Sequence, residues 1–174
     1  MKIQFENTLE DVIAFSQHFN KTSPSMRRRR LITLLYFPIL WFLIMVLPYI
    51  SGNLITIYII IWIVVSLVWI LFMSYFSKKS ITRNVRKLYS EGENKGTIGK
   101  HTMVVNPDSL VDITEYGEFS IKWNAINKIE SDENYIFIYI SSVSAHVIPK
   151  KSFVSDLEIE NFISEVQKNI NKSN

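Results

Sequence analysis

The side chains best suited to chemistry are few. There are three histidines, His18, His101 and His146, and no cysteine. Thiol nucleophiles, thiolate metal sites and disulfides are therefore excluded. His18 and His101 read as isolated, because no carboxylate or second histidine stands at helical or strand spacing to complete a metal site. His146 lies beside Ile148-Pro149-Lys150-Lys151, and with Trp123 these residues form a candidate partner surface. Lys150 and Lys151 would donate charge to an anionic group or a partner peptide. A plainer account fits the same residues: a strand-edge histidine, a proline that ends the ladder, and two solvated lysines. Trp123, flanked by Ile121 and Ile126, reads as a core or barrel-end anchor rather than a stacking platform. Asp132 and Glu133 fall in a turn, where acidic residues are common without chemistry. No phosphate loop, Gly-x-Ser-x-Gly elbow or His-Glu-x-x-His motif occurs. The sequence predicts no enzyme, no cofactor and no metal.

The elements that must position these residues divide around one stretch, Leu31 to Ser77, which carries no charged residue. It follows Arg27-Arg28-Arg29-Arg30 and stops at Lys78-Lys79, with one break at Ser51-Gly52-Asn53 that suits a tight turn. Leu31–Ile50 and Leu54–Phe76 each approach the ~20 apolar residues that cross a hydrocarbon core. The pattern predicts a two-span hairpin over 27–90. Lys and Arg next to spans stay cytoplasmic, so Arg27–Arg30 on one flank and Lys78, Lys79, Arg83, Arg86 and Lys87 on the other place both termini in the cytoplasm. These nine residues are also candidates for holding lipid head groups. A cleaved signal peptide would need a shorter apolar core, so the spans read as retained anchors. Pro38 should kink the first span unless packing tolerates it. Neither span contains an ionisable side chain other than tyrosine, which argues against a proton or ion pathway within this chain.

The formal charge of +3 hides an asymmetry. From Glu91 onward thirteen acidic residues face eight basic ones, so the basicity is juxtamembrane. An acidic domain makes nucleic acid a poor partner.

Before the hairpin, residues 1–25 contain a half-buried strand (Lys2–Glu6) and a helix capped by Thr8, with Glu10 and Asp11 in its first turn. This segment is expected to pack on the carboxy-terminal domain rather than lie on the membrane. After the hairpin, Ser80–Tyr89 should continue as a basic helix and Glu91–Gly96 as a linker. Residues 97–172 then show short β-type runs at Ile98–Val105, Leu110–Thr114, Glu118–Trp123, Ile126–Ser131, Tyr135–Ser141 and His146–Ile148. Tyr135–Ser141 is apolar on both faces and should be central. Ser155 and Glu158 form a capping box for a last helix, whose stripe of Ile159, Phe162, Ile163, Val166 and Ile170 should plug the sheet. The expected fold is a membrane α-helical hairpin plus an α+β cytoplasmic domain, an antiparallel barrel like that of pleckstrin-homology (PH) domains, closed by the carboxy-terminal helix. The strand at Lys2–Glu6 would make the hairpin an insertion inside one domain.

Several segments together carry a resemblance. They are Thr8-Leu9-Glu10-Asp11, Ser23-Pro24 before the basic run, Gly117–Trp123, Tyr135–Ser141 and Ala145–Phe153. With the two spans, the chain resembles the YcxB-like family of small bacterial membrane proteins. The resemblance implies a two-span anchor in the bacterial plasma membrane with a cytoplasmic β-domain, and it brings no catalytic residues. The expected function is a membrane-anchored interaction module that docks a protein partner. The alternatives are a lipid-associated envelope-stress or immunity-type protein, and an accessory subunit of a transporter working as an oligomer. Membrane lipids, a protein partner and further copies of the chain are the partners in view.

Overall fold

The computed structural model describes residues 1–49, 55–92, 94 and 96–173. The expected turn at Ser51-Gly52-Asn53 lies outside the described residues, as do Glu93 and Lys95 of the expected linker. The chain divides into two compact units, Met1–Phe15 with Val85–Asn174, and Ser16–Asn84.

The first unit is built from two antiparallel sheets and a helix. One sheet has the order β1 (Lys2–Asn7), β2 (Gly99–Val105), β3 (Ser109–Thr114), β4 (Gly117–Lys122). The other has the order β5 (Lys128–Ser131), β6 (Tyr135–Tyr139), β7 (Ala145–Pro149). Alternation along β1 buries Ile3 and Phe5 and exposes Lys2, Gln4 and Glu6, so the strand has one face to cover. Pairing with β2 from Lys2↔Val104 to Asn7↔Gly99 satisfies its backbone and sets that face beside Met103 and Val105, toward the core. The amino-terminal strand is thus an edge of the carboxy-terminal sheet.

The core lies between the inner faces of the two sheets. Met103, Val105 and Leu110 meet Ile136, Ile138 and Ile148 there. The last helix (Asp156–Ser173) adds Phe162, Val166 and Ile170 to the same cluster, with Ile159 and Ile163 at its margin. Its first turn is capped by the Ser155 hydroxyl, which accepts from the Glu158 amide at 3.3 Å; Glu158 in return accepts from the Val154 amide at 2.8 Å.

The strands do not close into the expected barrel. The two sheets are hydrogen-bonded separately, and a turn of 3₁₀ helix at Trp123–Ala125 ends β4 before β5 begins. Trp123 causes the break: it is buried and its indole N–H donates to the carbonyls of Asn106 and Pro107, both at 3.1 Å. The chain must turn inward at that point, which leaves β4 at an edge.

β6 is apolar on both faces because both are covered. Ile136 and Ile138 face the core, while Phe137 and Tyr139 meet Phe15 of the first helix, α1 (Leu9–Thr22), with centroids 5.8 and 5.9 Å apart. Asp11 secures this docking. Its buried carboxylate accepts from the Thr8 amide and hydroxyl, both at 2.7 Å, and from the Tyr135 hydroxyl at 2.9 Å. One side chain therefore caps the helix and ties it to β6. Burial first, and then the neighbouring Asp11 carboxylate, push the Tyr135 hydroxyl up to about 12.

In the second unit, helices α2 (Pro24–Tyr49) and α3 (Ile55–Ser90) pack with aromatic contacts. Phe37 stacks on Trp69 at 4.5 Å and Phe42 meets Trp62 edge-on at 5.5 Å, so low numbers on α2 meet high numbers on α3 and the pair is antiparallel. Pro38 does not end α2. Its carbonyl accepts the Trp62 indole N–H at 3.0 Å, and Pro38 itself is buried. Among the described residues, α3 is the one helix long and apolar enough to cross a membrane.

Replacing Asp11 with Ala strands the Tyr135 hydroxyl and removes the cap. The full chain in mild detergent should lose about 2–3 kcal/mol in denaturant unfolding, against about 1 kcal/mol for Tyr135→Phe, which removes one hydrogen bond. Equal, negligible effects would contradict this docking.

Candidate functional site

Two features of the first unit stand out, a buried polar cluster and an uncovered strand edge. The cluster begins on the β2–β3 hairpin. Alternation puts His101 and Asp112 on the inner face of the sheet, one step apart in register, since His101 pairs with Thr114 and Met103 with Asp112. Asp112 sits where a core strand ordinarily carries an apolar residue, and it is buried. His101 Nδ1 lies 3.0 and 3.1 Å from its two carboxylate oxygens. From the other sheet, His146 on β7 reaches in and places its own Nδ1 3.1 Å from Oδ2. One carboxylate therefore bridges two imidazoles across the two sheets. His101 is not the isolated histidine the sequence suggested: its partners come from register and from tertiary packing, which local spacing does not show.

An ionised carboxylate only accepts, so each imidazole donates from Nδ1 and, when neutral, keeps Nε2 as an acceptor. Both Nε2 atoms are buried with no hydrogen-bond partner. Phe5 stacks on the His101 ring, 5.3 Å between centroids and 9° between planes. Burial by itself raises the Asp112 carboxyl, but the hydrogen bonds and charge of His101 and His146 outweigh it and bring the carboxyl down to about 2. A histidine–carboxylate pair can serve a nucleophile, but here the free ring nitrogens face packed protein. The geometry is that of a clamp between the sheets. Among the described residues, no group of three His, Cys, Asp or Glu could hold a metal ion.

The second feature is β4. It pairs with β3 from Ser109↔Lys122 to Thr114↔Gly117 and ends the sheet. Five of its six residues are exposed and Ile121 is half-buried. Phe119 lies on the inner face, opposite Asp112, yet remains 59% exposed. Tyr116, in the adjoining turn, is equally exposed. The β7 edge of the other sheet is better protected: its last three residues are buried, the first two half-buried, and it finishes at Pro149.

The residues predicted from sequence separate. Trp123 and His146 serve internal contacts, in the 3₁₀ turn and the clamp. Lys150 is half-buried and its amide donates to the Asn134 carbonyl at 2.8 Å, leaving Lys151 as the exposed member of the four. Of the basic flank, Arg27, Arg28, Arg29 and Arg30 are exposed on the first turns of α2, and Lys78, Lys79 and Arg83 are exposed on α3. Arg86 pairs with Glu10, and Lys87 lies 3.9 Å from Glu91 one turn on. Exposed pairs of this kind are weak.

Asp112→Asn leaves two N–H donors facing one amide oxygen and should destabilise the chain by about 2–3 kcal/mol. The sign of the pH effect follows from a carboxyl held below its unfolded value. The Asp112 contribution, roughly 2 kcal/mol, is present above about pH 4 and lost as pH falls through about 2. Unfolding curves should show the native chain losing that increment over this range and the Asn variant lacking it. Parallel losses in both would remove the clamp's role.

The YcxB-like protein family model matches residues 105–165, from the last residue of β2 into the carboxy-terminal helix. The match takes in Asp112, His146 and all of β4, and leaves out β1, His101 and the three preceding helices. No curated protein and no solved structure matches the chain. Over residues 105–165, about a third of its length, the chain is similar to the YcxB-like family and carries a YcxB-like domain there.

Proposed function

We propose that this chain is a membrane-anchored interaction module of the bacterial plasma membrane, whose cytoplasmic domain docks a protein at the free edge of β4. The observation that carries this reading is the edge itself, a six-residue strand paired on one side, with Phe119 uncovered beside it. An unpaired strand edge offers a row of backbone donors and acceptors, and a partner strand adds to it by main-chain hydrogen bonds. Two sheets of four and three strands with a terminal helix suit a PH-like domain.

The anchor is the antiparallel helix pair. At 1.5 Å per residue the 36 residues of α3 extend about 54 Å, more than a ~30 Å hydrocarbon core requires. The apolar part would span, and the basic turns from Lys78 would emerge on the side of the domain. α2 would provide the other span, its exposed apolar face beginning at Leu31 directly after the four arginines. Both termini are then cytoplasmic by the positive-inside rule. Arg27–Arg30, Lys78, Lys79 and Arg83 would meet anionic head groups, each contributing about 1 kcal/mol at low salt.

A photo-crosslinking side chain in place of Phe119 should give a discrete protein adduct in native membranes, and the same group in place of Lys151 should not. Phe119→Ala should weaken capture roughly tenfold. No adduct from position 119, or the same adducts from both positions, would overturn docking at β4.

A further inference from the structure

We infer that the partner of the β4 edge is a second copy of this chain, paired antiparallel β4 to β4 about Ser120. The inference rests on the docking reading above and names its partner. An antiparallel pair sets residues opposite one another so that their numbers sum to a constant, and facing residues share a side of the sheet. With Ser120 opposite its own copy, Glu118 stands opposite Lys122 of the second chain and Lys122 opposite Glu118. Those two residues, both exposed, lie with Ser120 on the outer face. On the inner face the same register sets Phe119 opposite Ile121, twice. The outer face gains two opposite-charge pairs and the inner face two apolar pairs.

Neighbouring registers lose this match. Sliding one chain by two residues in one direction sets Phe119 against itself and Glu118 against Ser120. Sliding it the other way sets Lys122 against Ser120 and Ile121 against itself. A strand of six residues whose charges and apolar groups complement their own reversal is suited to isologous pairing. The pairing would cover Phe119, which borders Asp112 on the inner face, and would extend the sheet from four strands to eight. Anchoring in one bilayer raises the local concentration of copies, so a modest interface is enough.

The chain contains no cysteine, so a single introduced thiol reports one position. Facing residues in an antiparallel pair have Cα atoms about 4.5–5.5 Å apart, within the span of a disulfide. In native membranes under mild oxidation, the full chain carrying Ser120→Cys should form a covalent dimer, and Ser142→Cys, in an exposed turn elsewhere, should not. In the Ser120→Cys background, Glu118→Lys or Lys122→Glu alone should reduce crosslinking severalfold, and the two together should restore it. Failure of Ser120→Cys to crosslink, or failure of the double exchange to rescue, overturns self-pairing. The crosslinker at position 119 separates the two readings. An adduct at twice the chain mass supports self-pairing, whereas an adduct of another mass overturns it and leaves docking at β4 standing. No adduct at all removes both.

Discussion

The pairing of β1 with β2 is the constraint on which the rest depends. Lys2–Asn7 lies antiparallel to Gly99–Val105, and the Val105 amide closes the ladder by donating to the Met1 carbonyl at 2.8 Å. The chain therefore leaves the sheet at Asn7 and re-enters it at Gly99, directly opposite. Everything between those residues is an insertion between adjacent strands. Such an insertion is tolerable because closure entropy grows only logarithmically with loop length, about 0.6 kcal/mol per doubling. The inserted helices also pack on each other through their own aromatic contacts. Without β1, the core would lose Ile3 and Phe5, and His101 would lose the ring stacked on it.

The His101–Asp112–His146 clamp follows from that arrangement. A carboxylate within a core is tolerable only when its lone pairs are met, and here donors arrive from two sheets. Apolar packing would hold the sheets together in more than one offset. The His146 imidazole on the Asp112 carboxylate, which His101 orients from within its own sheet, holds them in one. Since Asp112 lies opposite Phe119, the polar centre of the domain and its uncovered edge are neighbours in register.

Much of the architecture was legible in the sequence because it follows from short-range periodicity. Alternation marked Lys2–Glu6 as a half-buried strand, the two-sided apolar run marked β6 as central, and the stripe from Ile159 to Ile170 marked the face of the last helix. Thr8 and Asp11 announced the start of α1, though not that Asp11 would also take the Tyr135 hydroxyl from 124 residues away. The expected barrel does not form because Trp123, a buried anchor, buries itself by breaking the strand at its own position. The clamp was not legible. His101 and Asp112 meet through hairpin register, and His146 joins them from another sheet. The β4 edge was hidden for a related reason. Glu118 to Lys122 alternates as any half-buried strand does, and only the strand order leaves its inner face uncovered.

A domain whose first strand and later strands flank a set of inserted helices makes one demand that backbone amides can report. Hydrogen–deuterium exchange of the full chain in mild detergent, resolved to single amides, measures it. The amides of β1 that face β2 should be protected to the same degree as the β2 amides that face β1, since those bonds open together, while the remaining β2 amides face β3. Rapid exchange of those β1 amides beside lasting protection of the β2 amides that face β1 would contradict it.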